Sequence, residues 1–525
     1  MIDDIEQMFP SLKEELSITN YVSRFQTLVY LEEIECFVNF RNYDRDRAHF
    51  TRDGEFLALT IENLSERRPS LVLGDVVRAI NPWSDRDIDN RSYDGVIHKV
   101  LFNKVLLKFN SSFQQKYNGE DYRLEFYFSR YGFRKQHFAT ERIVKHLGER
   151  FLFPSRIYVR DVPQLDVELN KDYEMIVGDK KLQWYNKALN NIQKRTVFKI
   201  LRGEVQNMPY IIFGPPGTGK TITLVEVILQ LVKNLPSSRL LVGTPSNSSA
   251  DLITTRLIQS GDLCAGDFIR LVSQNQIEKE LVPEHLLQYC ATIDIAATGT
   301  CNDEMIITES GLKLKCQMKF LGRHRVTIST CSTLGNFLQM DFPKGHFTHV
   351  LIDESGQCTE PEIMVAITQV SKIRGQVVLA GDPQQLQAIV TNRYAAEKDL
   401  SVSFLERILT RSPYLKDVFR YPDSCGYDPR LVTKLLYSYR ALPSILNVYN
   451  DLFYDSELIP MVDEENSRES KLIIKLRDLL PESETRSKTH GVYFYGMLSE
   501  NMQEKDSPSW YNPHEAKNVS YKYIN

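Results

Sequence analysis

No run of about 18 consecutive apolar residues occurs in this 525-residue sequence, so no membrane-spanning helix is expected. An excess of one charge is missing too. Lys and Arg number 64 against 68 Asp and Glu, and the net charge of −4 excludes a chain that grips polyanions by bulk charge. Any nucleic-acid site must then be a local groove. Cysteine pairs are absent: the eight cysteines, at 36, 264, 290, 301, 316, 331, 358 and 425, include no CxxC. That argues against a zinc site or a disulfide framework and leaves free thiols. His346 and His349 have no cysteine or second acidic residue beside them, so core or solvated histidine is the simpler reading. The start, Met1-Ile2-Asp3-Asp4-Ile5-Glu6, lacks the basic and apolar stretches of a secretory signal, which makes a cytoplasmic location the expectation.

Internal repeats and low-complexity tracts are also lacking, and the length predicts about three to four domains. Residues 1–45 read as helix and turn, with a capped helix start at Ser11 and helical spacing of Phe25, Leu28, Val29 and Leu31. Residues 55–130 change to period two. Strands are expected at 55–61, 71–73, 76–80, 96–97, 105–109 and 122–128, with turns at Asp53-Gly54, Asn81-Pro82, Asp94-Gly95 and Asn118-Gly119. Many short strands with tight turns indicate a small barrel or sandwich. A helix over 134–151 and an extended linker over 155–181 follow. From Pro209 the order strand, loop, helix, strand predicts a parallel α/β sheet, with strands at 210–213, 239–243, 326–330, 350–352 and 377–380. The stretch 258–322 breaks this alternation and reads as an inserted, partly helical subdomain. A second α/β unit is expected from Leu431.

The chemistry is concentrated at strand ends. Gly214-Pro215-Pro216-Gly217-Thr218-Gly219-Lys220-Thr221 satisfies G-x-x-x-x-G-K-[ST] between a strand and a helix-prone run. Its glycines let backbone N–H groups curl around phosphate oxygens at a helix N-terminus. Lys220 is assigned to the β- and γ-phosphates and the Thr221 hydroxyl to Mg²⁺. A chance glycine-rich turn is the plain alternative. Asp353-Glu354 follows the strand Val350-Leu351-Ile352; Asp353 would hold Mg²⁺ through water and Glu354 would orient and deprotonate the attacking water. Alone, such a pair is as often a surface turn. Gln385, in Gly381-Asp382-Pro383-Gln384-Gln385, is a candidate γ-phosphate sensor at the end of the next strand. Arg440, in Ser438-Tyr439-Arg440-Ala441-Leu442-Pro443, could reach a γ-phosphate across a cleft, or be a surface arginine before a helix. Pro245, Ser246 and Asn247 follow one strand, and Thr330, Ser332 and Thr333 lie in the Thr330-Cys331-Ser332-Thr333 run at the end of another. Short hydroxyl and amide groups there suit sugar-phosphate contacts, although such loops are more often helix caps.

The series GPPGTGKT, TPSNSSAD, TCSTLG, IDESGQ, LAGDPQQL and SYRALP, in that order, resembles the motifs of superfamily 1 RNA helicases of the Upf-like group, and most closely their Mov-ten and Armitage branch. Phe347-Thr348-His349, Glu360-Pro361-Glu362 and Gly426-Tyr427-Asp428-Pro429 resemble that branch too. The resemblance implies an α/β fold of RecA-like P-loop domains with a parallel sheet, a small N-terminal β-barrel and a helical stalk. The corresponding divisions are a stalk segment 1–47, a barrel 48–132, helix and linker 133–181, a first RecA-like domain 182–425 with an insertion at 258–322, and a partial second one at 426–525. It implies ATP and Mg²⁺ as ligands, single-stranded RNA as substrate, 5′-to-3′ movement, small-RNA silencing proteins as partners and ribonucleoprotein granules as a location. Carried over by position, Gln193 looks like the adenine-reading glutamine and Tyr439 like a residue that stacks on the base.

Three departures stand out. Asn191-Ile192 replaces the usual polar or acidic pair before that glutamine, and Ser355 stands where alanine is usual. The family's last motifs, a Gln-Gly loop and a further arginine motif, have no counterpart before Asn525, so the chain is expected to stop within the second RecA-like domain. An ATP- and RNA-binding scaffold without translocation is therefore the alternative reading, and a DNA helicase a third.

Overall fold

The computed structural model describes residues 2–64, 67, 69–72, 74–81, 92–273, 276–277, 281–292, 321–339, 345–463, 466–476, 496–503 and 510–524. They form two compact units, residues 1–33 with 131–436, and residues 34–130 with 437–525. Helix α1 (Tyr21–Phe40) is a 20-residue segment without glycine or proline. It buries Tyr21, Phe25, Leu28 and Val29, a stripe at helical spacing. The expected helix start at Ser11 is instead a single 3₁₀ turn, Pro10–Leu12. Asn20 explains the delay. Its amide donates to Glu15 O at 2.9 Å and its Oδ1 accepts from Ser17 N at 2.9 Å, closing the chain into a turn just before α1.

In the second unit, β1 (Arg45–Ala48), β2 (Thr51–Asp53), β3 (Phe56–Thr60), β4 (Val76–Ile80), β5 (Ser92–Val100), β6 (Lys104–Lys108) and β7 (Tyr122–Tyr127) form one antiparallel, barrel-like sheet in the order β1-β7-β4-β5-β6-β3-β2. Alternation puts Val77 and Ala79 of β4, and Leu124 and Phe126 of β7, into its core. Leu71 and Val72, expected in a strand, lie outside any, and residue 73 is outside the described residues. Asp94-Gly95 is not a turn, because β5 runs straight through it. A Cβ at residue 95 would stand 2.5 Å from the Phe109 ring, so the glycine serves close packing of an aromatic on the strand.

The first unit resumes with α2 (Tyr131–His146), a three-stranded sheet of β8 (Glu168–Leu169), β9 (Met175–Val177) and β10 (Lys180–Lys181), and α3 (Asn191–Arg202). Its main layer is built from β11 (Tyr210–Phe213), α4 (Lys220–Asn234), β12 (Leu240–Thr244), α5 (Asn247–Ser260), β13 (Phe268–Val272), β14 (Cys290–Thr292), β15 (Val326–Thr330), α6 (Cys331–Leu334), β16 (His349–Ile352), α7 (Glu360–Ile367), β17 (Gln376–Gly381) and β18 (Val432–Lys434). The eight strands are all parallel, in the order β14-β13-β15-β12-β16-β17-β11-β18. Every residue of β11, β12, β13, β16 and β17 is buried, as strands covered on both faces must be.

Two expectations need correction. Part of the supposed insertion at 258–322 belongs to the sheet, since β13 and β14 extend its edge; residues 293–320 lie outside the described residues. Arg270 in β13 obscured the pattern. It is fully buried because its Nε bonds Asp251 Oδ1 at 2.9 Å and its Nη2 bonds Asn247 Oδ1 at 3.0 Å. Residues 432–434 likewise pair with β11 and close the first sheet. The next parallel pair, β19 (Tyr437–Ser438) and β20 (Ile459–Pro460) around α8 (Pro443–Phe453), lies in the second unit. The six described cysteines, Cys36, Cys264, Cys290, Cys331, Cys358 and Cys425, are free. Among the described residues no helix is long and apolar enough to cross a membrane.

His349 opens β16 as a buried core residue. Its Nε2 meets Gln164 Oε1 at 3.0 Å and its Nδ1 meets Thr348 Oγ1 at 2.8 Å. Burial, reinforced by the nearby Arg160 charge, pushes its imidazole down to about 3. The unfolded chain takes up a proton near pH 6.5 that the folded chain refuses, so stability falls as pH drops from about 6.5 toward 3. At pH 5 this group should remove about 2 kcal/mol. Denaturant titrations at pH 7 and pH 5 check this: wild type should lose that much more than His349→Gln between the two, and equal losses would refute it.

Candidate active site

The loop 214–219 joins β11 to α4. Thr218 closes it, its Oγ1 donating to Pro215 O at 2.7 Å, while Gly217 and Gly219 take φ of 75° and 81°. Gly219 is the last residue before α4, so the helix N-terminus points its free N–H groups into the loop. Lys220 is 8% exposed. Its Nζ lies 3.4 Å from Gly214 O and 3.1 Å from Glu354 Oε1. Thr221 Oγ1 donates to Asp353 Oδ2 at 2.9 Å.

The acid pair sits at the carboxyl end of β16. Asp353 is buried, and its Oδ1 accepts the Glu354 N–H at 3.0 Å. Glu354 holds φ of 52°, a left-handed conformation uncommon for a residue with a Cβ. Burial pushes the Asp353 carboxyl up to about 6, the Glu354 charge adds to this, and Lys220 opposes it. A hydroxyl and an under-compensated carboxylate one hydrogen bond apart are hard oxygen donors, and they fit Mg²⁺. Ser355 is accommodated because its Oγ donates to Ala380 O at 3.0 Å. On the adjacent strand end, Gln385 Nε2 donates to Asp382 Oδ2 at 2.6 Å, and Asp382 is 3% exposed. Asp382 lies inside the quoted run GDPQQL, yet no sequence signal set it apart; only the fold reveals that it orients Gln385.

Gln193 comes to the same place from α3. Asn190 and Gln193 form a reciprocal cap: Asn190 Oδ1 accepts Gln193 N at 2.9 Å, and Gln193 Oε1 accepts Asn190 N at 3.0 Å. Gln193 Nε2 then donates to Thr218 O at 3.1 Å, which ties the glutamine to the loop. Asn191-Ile192 therefore leaves Gln193 held in place.

The hydroxyl-rich loops are helix caps in this structure. Ser246 Oγ accepts Ser249 N at the head of α5, and Thr330 Oγ1 accepts Thr333 N at the head of α6. Pro245 and Asn247 flank the first cap, and Ser332 lies one residue before Thr333. Buried cations hold both from behind, Arg270 through Asn247, and Lys135 through Ser332 O at 2.9 Å and Asn336 Oδ1 at 2.6 Å. Neither cation was legible as a partner of these loops. Tyr439 and Arg440 are exposed and belong to the second unit, just after β19.

Family profiles match in three stretches: "AAA domain" over residues 188–314 and 302–393, "Helicase MOV-10, beta-barrel domain" over 43–126, and a second "AAA domain" over 401–524. Curated relatives include "Probable RNA helicase armi" of Drosophila melanogaster, 64% identical over 99% of this chain and 44% of its own length. "RNA helicase Mov10l1" of Homo sapiens is 34% identical over 98% of this chain and 44% of its own length. The Mus musculus protein of that name is 30% identical over 98% and 50%. The chain thus spans half or less of these relatives.

A methyl group at Gly219 would stand 2.5 Å from Gln193 Nε2, at a φ that side chains resist. Gly219→Ala should break the Gln193–Thr218 contact and destabilise the ligand-free protein by about 1–3 kcal/mol. Gly266→Ala, where the added Cβ would meet nothing within 4 Å, is the control and should shift the denaturation midpoint little. Equal effects would refute the steric argument.

Proposed function

Since the chain belongs to the Armitage/Mov10-like family of helicases, we propose that it is an ATP-dependent RNA helicase that moves 5′ to 3′ along single-stranded RNA. The observation that carries this reading is the meeting of Thr221 with Asp353 and of Lys220 with Glu354 at one sheet edge. Lys220 leaves Glu354 for the β- and γ-phosphates of ATP, and the loop N–H groups receive the remaining oxygens. Freed of Lys220, Glu354 orients a water in line with the γ-phosphorus and takes its proton. Thr221 and Asp353 are the residues to hold Mg²⁺, which supplies positive charge against the phosphate oxygens. Gln385, aimed by Asp382, contacts the γ-phosphate, and Gln193 reads the adenine edge. By family resemblance, Arg440 is assigned to the γ-phosphate and Tyr439 to the base.

RNA is proposed to run over the strand ends carrying Pro245, Ser246, Asn247, Thr330, Ser332 and Thr333. We divide the chain functionally into a stalk 1–47, a barrel 48–132, a helix and linker 133–181, a first RecA-like domain 182–436 and a second from 437 onward. Family resemblance also supports silencing proteins as partners in the cytoplasm.

RNA-stimulated phosphate release tests the proposal. Glu354→Gln should keep adenine-nucleotide binding and lose turnover by about 10²–10⁴-fold. Lys220→Ala should lose binding itself. Folded wild type that takes up no fluorescent adenine nucleotide with Mg²⁺ would overturn the reading.

A further inference from the structure

Glu226 lies in the second turn of α4, 1% exposed. It is a carboxylate deep in a helix–sheet layer, and burial pushes its pKa upward. Such a group is expensive to keep, and the structure shows what it holds. Its Oε1 accepts Tyr185 N at 3.1 Å and Gln230 Nε2 at 2.9 Å, and its Oε2 accepts Asn186 N at 2.9 Å. Gln230, on the same helix, also donates to Gln183 O at 2.7 Å. The backbone of segment 183–186 is thus bound to the side of α4, and the Trp184 and Tyr185 side chains pack on the core beside it.

From there the contacts run forward along the chain. Asn186 Oδ1 accepts Ala188 N at 2.9 Å, and Leu189 N reaches Asn186 O at 3.4 Å. Four residues beyond Asn186 comes Asn190, whose cap fixes Gln193, and Gln193 donates to Thr218, two residues before α4. The circuit closes on itself: it leaves α4 at Glu226 and returns to the head of α4 at Thr218. Gln193 thus bonds Thr218 directly on one side and Asn190 on the other, and Asn190 connects through residues 186–190 to the grip of Glu226.

We infer that Glu226 is a positioning residue for base recognition: by gripping the Tyr185 and Asn186 amides it sets where Gln193 stands relative to the phosphate loop, and so sets the preference for adenine over guanine. The inference rests on the proposed nucleotide site and deepens it. A carboxylate has two oxygens for two backbone donors, whereas glutamine offers one oxygen and turns an –NH₂ toward an N–H. Glu226→Gln should therefore loosen the segment while changing shape little.

The experiment measures binding of mant-ADP and mant-GDP, and displacement by inorganic tripolyphosphate, with Mg²⁺ present. In Glu226→Gln the ratio of GDP to ADP dissociation constants should fall about tenfold, the equivalent of one charge-assisted hydrogen bond. Tripolyphosphate, which reads only the phosphate loop, should bind as in wild type. A merely structural role would weaken all three ligands together and leave the ratio unchanged, and that result would overturn the inference. Should Glu226→Gln fail to fold, Asn186→Ala cuts the same circuit at a partly exposed side chain and should lower the same ratio; an unchanged ratio there is equally fatal. Lys220→Ala separates the two levels. It should abolish binding of all three ligands, and if it does not, the nucleotide site itself is misassigned and the inference falls with it.

Discussion

Because β16, β17 and β11 pair in parallel register, with Ile352 opposite Leu379 and Phe213 opposite Gly381, the chain leaving each strand emerges at one edge. Residues far apart in sequence are thereby forced together. Thr221 and Asp353 stand 132 positions apart and meet at 2.9 Å. Ionised, the cluster of Lys220, Asp353 and Glu354 carries one positive and two negative charges, most of them out of water. Burial is the main reason that Asp353 resists ionisation, and the Glu354 charge adds to it, while Lys220 and Glu354 hold each other. A site with this imbalance favours added positive charge beside Asp353 and a new anionic partner for Lys220. Both demands are met by a metal-bound triphosphate.

The acid pair is also anchored through the residues that follow it in the chain. Only six positions after Glu354, Glu360 is fully buried and accepts Arg407 Nε and Nη2, both at 2.7 Å, and the Tyr21 hydroxyl at 2.8 Å. Arg407 also donates to Leu152 O at 3.1 Å and lies over the Phe153 ring. Removing one member of such a pair leaves a bare charge in the interior, at a cost of about 3–5 kcal/mol. Against a total stability of about 5–15 kcal/mol this is a large fraction, so the start of α7 is among the least displaceable points of the unit. Between it and β16 the chain makes one 3₁₀ turn, Ser355–Gln357, where a Cβ on Gly356 would stand 2.9 Å from Asp382 O. The left-handed backbone at Glu354 is thus fixed on both sides, and the carboxylate it presents has little freedom to wander.

How much of this could be read from residues alone depended on whether the constraint was local. The phosphate loop was legible because its glycines, lysine and threonine are consecutive and their geometry is self-contained. The strands before Gly214 and Asp353 were legible because burial on both faces leaves an unbroken apolar run. Strand β13 was not, since Arg270 looks like surface until Asp251 and Asn247, on a neighbouring helix, are seen to compensate it. Gly95 read as a turn because its reason, the Phe109 ring, lies on another part of the chain. Asp382 and Glu226 were missed for the same cause: each acts through a partner whose position only the folded sheet provides.

The hydroxyl-rich loops show how a pattern can serve two ends. A Ser or Thr oxygen that caps a helix accepts one N–H and still has its own hydrogen to donate. In Thr330 that hydrogen goes to Thr333 Oγ1 at 2.9 Å, and Ser246 likewise donates to Ser249 Oγ at 3.0 Å. Capping therefore holds each loop in shape and uses part of its donor capacity. Lys135, 7% exposed and set over the Tyr131 ring, stands behind Ser332 and puts a positive charge beneath that loop, whereas Arg270, paired with Asp251, braces Asn247 without adding net charge. In a chain with a net charge of −4, the proposed RNA path would have to draw on local cations such as Lys135 rather than on bulk charge. On the proposed RNA path, each phosphate contact would fix register, while the near-neutral remainder of the chain would add little non-specific grip.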